Sequence, residues 1–298
     1  MQKRRFGKTG LDLSVFSLGT MRCLASPQTT HKTIGKAIAL GINHLETAQG
    51  YGKSESYIGQ ALQDLTIPRQ KIYNTTKLSP TLNPLETSQQ IDESLAKLQV
   101  DYIDCLAIHG INTWEHLQKI TKPNGCLASI HTAINQGKIR HLGFSTHGSL
   151  DLILAAIQTD LFEFIELHYY YFFQRNQKAI TLASEKDMGI FIISPADKGG
   201  KLYTPPEKLE KLCIPYTPLE LNYRFLLNDN RITTLSVGAA TPEEQAEPVE
   251  IARRSRVLAI MALLGISGME TWRFPANREV ISLLTTKLGI FSWSKFCS

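Results

Sequence analysis

The sequence is poor in paired cysteines, long apolar runs and clustered glycines, and each shortage removes a class of protein. Its five cysteines, Cys23, Cys105, Cys126, Cys213 and Cys297, are scattered with no C-x-x-C pair. That spacing argues against a disulfide framework, a zinc site or an iron-sulfur cluster, so no metal is expected. No stretch approaches the ~18 apolar residues of a membrane span, and no apolar segment follows the basic start Met1-Gln-Lys-Arg-Arg. A cytoplasmic location is the resulting expectation. The body also lacks a charge of one sign: the net charge of +5 comes entirely from the segment after residue 252, where seven basic residues face Glu270 and Glu279. Nucleic acid is therefore not an expected partner.

What is present, across 298 residues of 43% hydrophobic content, is alternation. Short β-branched or apolar runs cover 14–20, 42–48, 72–78, 102–111, 139–146, 162–172, 189–196 and 232–240, with segments of helical period between them. The clearest helix is 83–98, with Leu85, Ile91, Leu95 and Leu98 near one face. Thr217-Pro218 and Thr241-Pro242 open two more. Eight strands without a G-x-G-x-x-G turn after the first favour a closed (β/α)8 TIM barrel over a doubly wound sheet. In such barrels, chemistry sits where strands end and the following loops begin.

That rule selects Glu46 and Tyr51 around the second strand's end, Lys77 at the third and His109 at the fourth. Each has a plain alternative: a turn tyrosine beside glycines, a surface lysine, a satisfied buried histidine. Their convergence on one mouth is what suggests chemistry. A carbonyl that accepts hydride develops negative charge on oxygen, and so needs an acid within hydrogen-bond reach. Tyr51 is the candidate acid, Lys77 the charge expected to lower its pKa, Glu46 the carboxylate that keeps Lys77 protonated, and His109 a neutral donor to the oxygen.

The motifs resemble those of aldo-keto reductases. Arg5-Phe6-Gly7-Lys8-Thr9-Gly10-Leu11 with Leu18-Gly19-Thr20-Met21 is similar to that family's N-terminal β-hairpin and first barrel strand. Gly41-Ile42-Asn43-His44-Leu45-Glu46-Thr47-Ala48 with Tyr51-Gly52 resembles the second strand and its loop, and Thr76-Lys77, Tyr102-Ile103-Asp104 with His109, Gly143-Phe144-Ser145 and Gly238 with Thr241-Pro242-Glu243-Glu244 follow in order. The resemblance implies an Asp-Tyr-Lys-His tetrad falling on Glu46, Tyr51, Lys77 and His109, with glutamate in place of the aspartate. A bacterial subgroup that often carries a C-terminal iron-sulfur domain is similar in wording, but the four-cysteine cluster is absent.

The same resemblance implies a nicotinamide cofactor across the mouth, NADPH on family habit with NADH as the alternative. Its carboxamide would meet Ser145, Thr146 and Glu166, where glutamate replaces the family's glutamine. Ile193-Ser194-Pro195 stands where a ring usually stacks on the nicotinamide. Lys198 and Gly200 would approach the pyrophosphate, Gly19 and Thr20 would face the cofactor from the first strand, and Gly238 and Thr241 would hold the adenosine end. Glu244 stands where NADPH-specific relatives usually place an arginine, and would repel a 2′-phosphate. The aromatic run Tyr169 to Phe173 is read either as packing or as pocket lining.

These observations divide the chain into a reductase-like barrel, 1–252, and a divergent basic and apolar tail, 253–298. The tail holds the apolar stretch Val257 to Ile266 and the tryptophans Trp272 and Trp293. It is either a displaced reading of an ancestral extension or a hydrophobic lid able to touch a membrane surface. The expected activity is reduction of a small-molecule aldehyde or ketone, the alternative a cofactor-binding barrel that senses redox state and turns over weakly.

Overall fold

The computed structural model describes residues 1–80, 83–122 and 125–263. A hairpin of β1 (Lys3–Arg5) and β2 (Asp12–Ser14) opens the chain, pairing Lys3 with Ser14 and Arg5 with Asp12. Eight parallel strands then close into a barrel: β3 (Phe16–Gly19), β4 (His44–Glu46), β5 (Tyr73–Leu78), β6 (Ile103–Ile108), β7 (Ile139–Thr146), β8 (Phe164–Leu167), β9 (Gly189–Ile192) and β10 (Thr234–Gly238). The last pairs with the first, Gly238 opposite Gly19. Around them run α1 (Pro27–Ala39), α2 (Ser54–Asp64), α3 (Pro84–Leu98), α4 (Trp114–Thr121), α5 (Cys126–Asn135), α6 (Leu150–Gln158), α7 (Gln177–Glu185), α8 (Glu207–Cys213), α9 (Pro218–Asn228) and α10 (Ala246–Leu263).

Local chemistry explains the helix starts. Ser26, Asn83, Ser149 and Thr217 each accept a backbone N–H in the first turn, satisfying a donor with no partner inside the helix. Three of these caps precede proline, whose fixed φ suits the first turn. One sequence expectation needs correction within α3. Leu85 is 82% exposed, and the buried face runs through Thr87, Ile91, Ser94 and Leu98. A step of two residues, about 200° around a helix, puts Leu85 opposite Thr87.

Strand alternation splits the apolar mass in two. Residues such as Leu18, Leu45, Leu106, Phe144 and Ile165 point outward and form the main core against the helices. Inward-facing Cys105, Ala107, Phe164 and Phe191 form a second cluster with Phe6 and Leu13 of the hairpin, which plugs the lower end. Phe6 fits because position 189 is glycine: a Cβ there would lie 2.4 Å from the Phe6 ring. Above the plug, Ser17 Oγ lies 2.6 Å from His44 Nδ1 and 2.7 Å from Thr234 Oγ1, while His44 Nε2 lies 2.8 Å from Thr75 Oγ1. This buried polar belt is fully satisfied, as a dry interior requires.

The expected helix at Thr241 begins later. Glu243–Gln245 form a single 3-10 turn, and α10 starts at Ala246 and runs across residue 252 without a break. Residues 264–298, most of the predicted tail with Trp272 and Trp293, lie outside the described residues. Among the described residues no helix is long and apolar enough to cross a membrane.

Candidate active site

Strand register gathers the polar residues at the C-terminal ends of the barrel strands. Glu46 sits opposite Gly19 on one side and Thr75 on the other, Lys77 lies opposite Ala107, and Ser145 is opposite Glu166. Lys77 is 2% exposed. Its ammonium forms an ion pair with Glu46 Oε1, donates to the Thr47 carbonyl at 3.0 Å, and lies 3.4 Å from Glu166 Oε2. Glu46 is thus the carboxylate partner that the spacing predicts for Lys77. Glu166, placed at the carboxamide by resemblance, is a second one.

The extra methylene of Glu46 is accommodated by its neighbour. A Cβ at position 19 would lie 3.2 Å from Glu46 Oε2 and 2.4 Å from Ser236 Oγ, so only glycine leaves the carboxylate its place. Thr20 supports the same strand end, its N–H and its hydroxyl both donating to the Glu46 carbonyl, at 3.0 and 2.9 Å. Its hydroxyl is thus engaged within the fold, with Ser54 Oγ at 2.7 Å as a second partner.

Tyr51 is held on a tight turn between β4 and α2. Its N–H donates to the Ala48 carbonyl at 3.0 Å, its own carbonyl accepts from Ser54 N–H at 3.1 Å, and Gly52 follows with φ +58°. The ring centroid lies 5.0 Å from Lys77 Nζ and 5.8 Å from the His109 ring, the two rings meeting edge to face at 84°. The structure thus brings Glu46, Tyr51, Lys77 and His109 together. Burial, then Lys77 and His147, lowers His109 to about 4, leaving it neutral near pH 7.

The tyrosine's electrostatics correct the sequence expectation. Its pKa is raised, not lowered, first by burial and then by the negative charge of Glu166. Burial outweighs the positive charge that was expected to favour the phenolate, and Glu166 adds to the effect whenever it is ionised. Burial also lowers Lys77 and raises Glu166, each opposed by the other's charge.

The predicted cofactor residues divide into free and committed groups. The Ser145 hydroxyl accepts Gly110 N–H at 3.0 Å and keeps its own proton to donate. Thr146 Oγ1 already donates to the Ile111 carbonyl at 2.6 Å and accepts Gly148 N–H at 3.0 Å. The loop after β9 carries positive φ at Ser194, Asp197, Gly199 and Gly200, with Ser194 and Lys198 exposed. Asp197 anchors it by accepting the Tyr170 hydroxyl at 2.7 Å and Lys198 N–H at 2.6 Å. Tyr169, Tyr170 and Tyr171 are buried and Phe172 and Phe173 pack against the core, so the aromatic run serves as packing.

At the adenosine end, Gly238 is exposed with open space beyond it, and Thr241 is half-buried. Glu244 is anchored: one of its oxygens accepts Ala240 N–H at 3.1 Å, and Arg22 grips both, at 2.9 and 3.2 Å, while also donating to the Gly238 carbonyl at 3.0 Å. Arg22 escaped the sequence reading because it lies more than two hundred residues from its partner. His147 and His168, whose rings stand 4.7 Å apart at the ends of β7 and β8, were also missed, although strand-end position was a usable signal.

The mouth of this closed parallel barrel thus gathers a tyrosine, a buried lysine and a histidine, the lysine paired with Glu46. The aldo/keto reductase family profile matches residues 16–253, and the chain belongs to that family. It is similar to the NADH-specific methylglyoxal reductase of Escherichia coli, 26% identical over 84% of this chain and 93% of that one. It is likewise similar to the uncharacterized oxidoreductase YqkF of Bacillus subtilis, 22% identical over 86% of this chain and 93% of that one. Among solved structures, the holo form of an aldo-keto reductase from Bacillus halodurans superposes with TM-score 0.75 at 22% identity, covering 95% of this chain and 96% of that one.

Proposed function

We propose that this protein reduces a small aldehyde or ketone to the alcohol with a nicotinamide cofactor, Tyr51 giving the proton. The observation that carries the reading is the convergence of Tyr51, Lys77 and His109 on one mouth, with Lys77 paired to Glu46. The residues present fit such a cofactor: Glu166 is buried with no hydrogen bond on either oxygen, Ser145 retains a donor, and Gly199 and Gly238 have open space for close approach. Ser145 and Glu166 would hold the carboxamide, Lys198 and the Ser194–Gly200 loop the pyrophosphate, and Gly238 and Thr241 the adenosine end. When bound, the cofactor supplies the hydride. His109, neutral near pH 7, orients the carbonyl oxygen, and Tyr51 protonates it as charge develops there. A raised phenol pKa keeps Tyr51 protonated until that moment.

Family habit favours NADPH, whereas the Arg22–Glu244 pair favours NADH. Glu244 already occupies the Ala240 amide, and a 2′-phosphate would have to displace it against like charge. The similarity to an NADH-specific reductase points the same way. On these grounds we read the chain as NADH-preferring, acting on small reactive carbonyls of the methylglyoxal kind.

The second reading, a cofactor-binding barrel with weak turnover, is favoured by one observation: the Tyr51 phenol is raised, first by burial and then by Glu166, where the tetrad chemistry calls for it to be lowered. Stopped-flow mixing of the NADH or NADPH complex with methylglyoxal and a panel of aldehydes and quinones separates the two. A reductase oxidises the bound cofactor, and Tyr51→Phe slows that step at least about a hundredfold. Tight binding with no oxidation in either protein supports the sensor.

A further inference from the structure

Glu166 is the strangest residue of the mouth. It is 0% exposed, neither oxygen makes a hydrogen bond, and its nearest cation, Lys77 at 3.4 Å, is already ion-paired with Glu46. Two buried carboxylates and one ammonium leave an uncompensated negative charge where water cannot solvate it, a costly arrangement. Binding one proton removes the cost, and of the two carboxylates Glu166 has the weaker claim on Lys77.

Among the described residues Glu166 makes no ion pair with a cation other than Lys77. Near Glu166 are Lys77 on β5, Tyr51 on the turn before α2 and Cys105 on β6, whose thiol burial holds protonated. His168, two residues further along and just past the end of β8, and His147 beside it are lowered by burial to about 3 and about 4 and so are neutral near pH 7. The flanking strands present Ser145 from β7 and Phe191 from β9, neither of which is charged. Deeper in the barrel, His44 is neutral at ordinary pH, burial lowering it to about 3. A positive charge that compensates Glu166 must therefore come from a ligand.

We infer that Glu166 is a proton-carrying residue governed by the charge of the ring bound beside it, protonated against a neutral ring and ionised against a cationic one. The inference rests on the cofactor reading above, since oxidised nicotinamide is cationic and reduced nicotinamide neutral. When the oxidised form binds, the O–H bond of the Glu166 acid breaks, its proton passes to solvent, and the carboxylate pairs with the ring. Binding of the reduced form leaves the acid intact. Glu166 thereby holds the oxidised cofactor more tightly as pH rises, and favours the charge state that hydride donation creates.

The test is isothermal titration calorimetry with NAD+ and with NADH at pH 7, in two buffers of different ionisation heat, which counts the protons exchanged. Wild type is expected to release more protons with NAD+ than with NADH, the excess approaching one, and Glu166→Gln is expected to erase the difference. In parallel, NAD+ affinity of wild type rises with pH by up to about tenfold per unit below the Glu166 titration, as one linked proton requires. In Glu166→Gln it stays flat. Equal proton counts for the two redox forms, or a difference that survives in Glu166→Gln, overturns the proposal. Should Glu166→Gln fail to fold, Glu166→Asp keeps the question open to measurement: it must retain the redox-dependent release, and its loss there overturns the proposal. Failure of wild type to bind either form overturns the cofactor reading beneath it, a distinct result.

Discussion

Single residues set the chemistry proposed for this mouth, and Glu244 is the one on which the proposed cofactor choice turns. Its carboxylate accepts Ala240 N–H at 3.1 Å and is gripped through both oxygens by Arg22, filling the turn with negative charge. Glu244→Gln removes the repulsion and releases the guanidinium, which can then meet a phosphate with its fork of donors. The expected result is a shift in the NADPH-to-NADH ratio of kcat/KM toward NADPH by about tenfold or more. An unchanged ratio would remove Glu244 from cofactor choice. Such effects are hard to read from sequence. The motif order located Glu46, Tyr51, Lys77 and His109, because strand-end positions follow from alternation. The identity of Lys77's second partner did not follow, since Glu166 approaches across the barrel lumen from β8.

Elements show a different balance. The eight strands were legible because each apolar run is short and is bounded by a helix start, and the barrel strands lie inside the expected runs. The boundaries that failed did so for physical reasons. Thr241-Pro242 has the form of a helix start, yet Glu244 takes the Ala240 amide and a 3-10 turn intervenes before α10. Leu85 is apolar but lies on the solvent side of α3. The β1–β2 hairpin was legible as a hairpin; its role as a plug depends on the missing Cβ at Gly189. Phe6, fully buried with its ring centroid 5.3 Å from that of Phe164, is part of that plug. Phe6→Ala should therefore destabilise the fold by about 3–5 kcal/mol, the usual cost of removing a buried aromatic ring. Urea unfolding measures this. Cofactor affinity should hold under native conditions, because the plug lies at the opposite end from the mouth.

At the scale of the whole molecule, the barrel stores several histidines in their neutral form. Burial lowers His44 and His168 to about 3, against an ordinary value near 6.5. The folded state thus resists a proton that the unfolded chain accepts. The stability this contributes is fully present above pH ~6.5 and is lost as pH falls toward 3. Each histidine contributes a slope on the order of 1 kcal/mol per pH unit across that window. Thermal unfolding should show Tm nearly constant from pH 7 to 8 and falling steeply from 6 to 4, and His44→Gln should flatten part of that fall. A Tm equal at pH 4 and 7 would contradict the burial argument.

With Phe6 and Leu13 packed into the lower end, a ligand proposed for the strand ends reaches them from the mouth side. Whatever lies deepest must arrive first and depart last, as with objects stacked in a well. In the proposed site, a cofactor held against Glu166 and Ser145 would have to be in place before a carbonyl compound settles against Tyr51. The order of arrival and departure is then a property of the architecture: a large carbonyl compound that enters early seals the way in and slows the enzyme at high concentration.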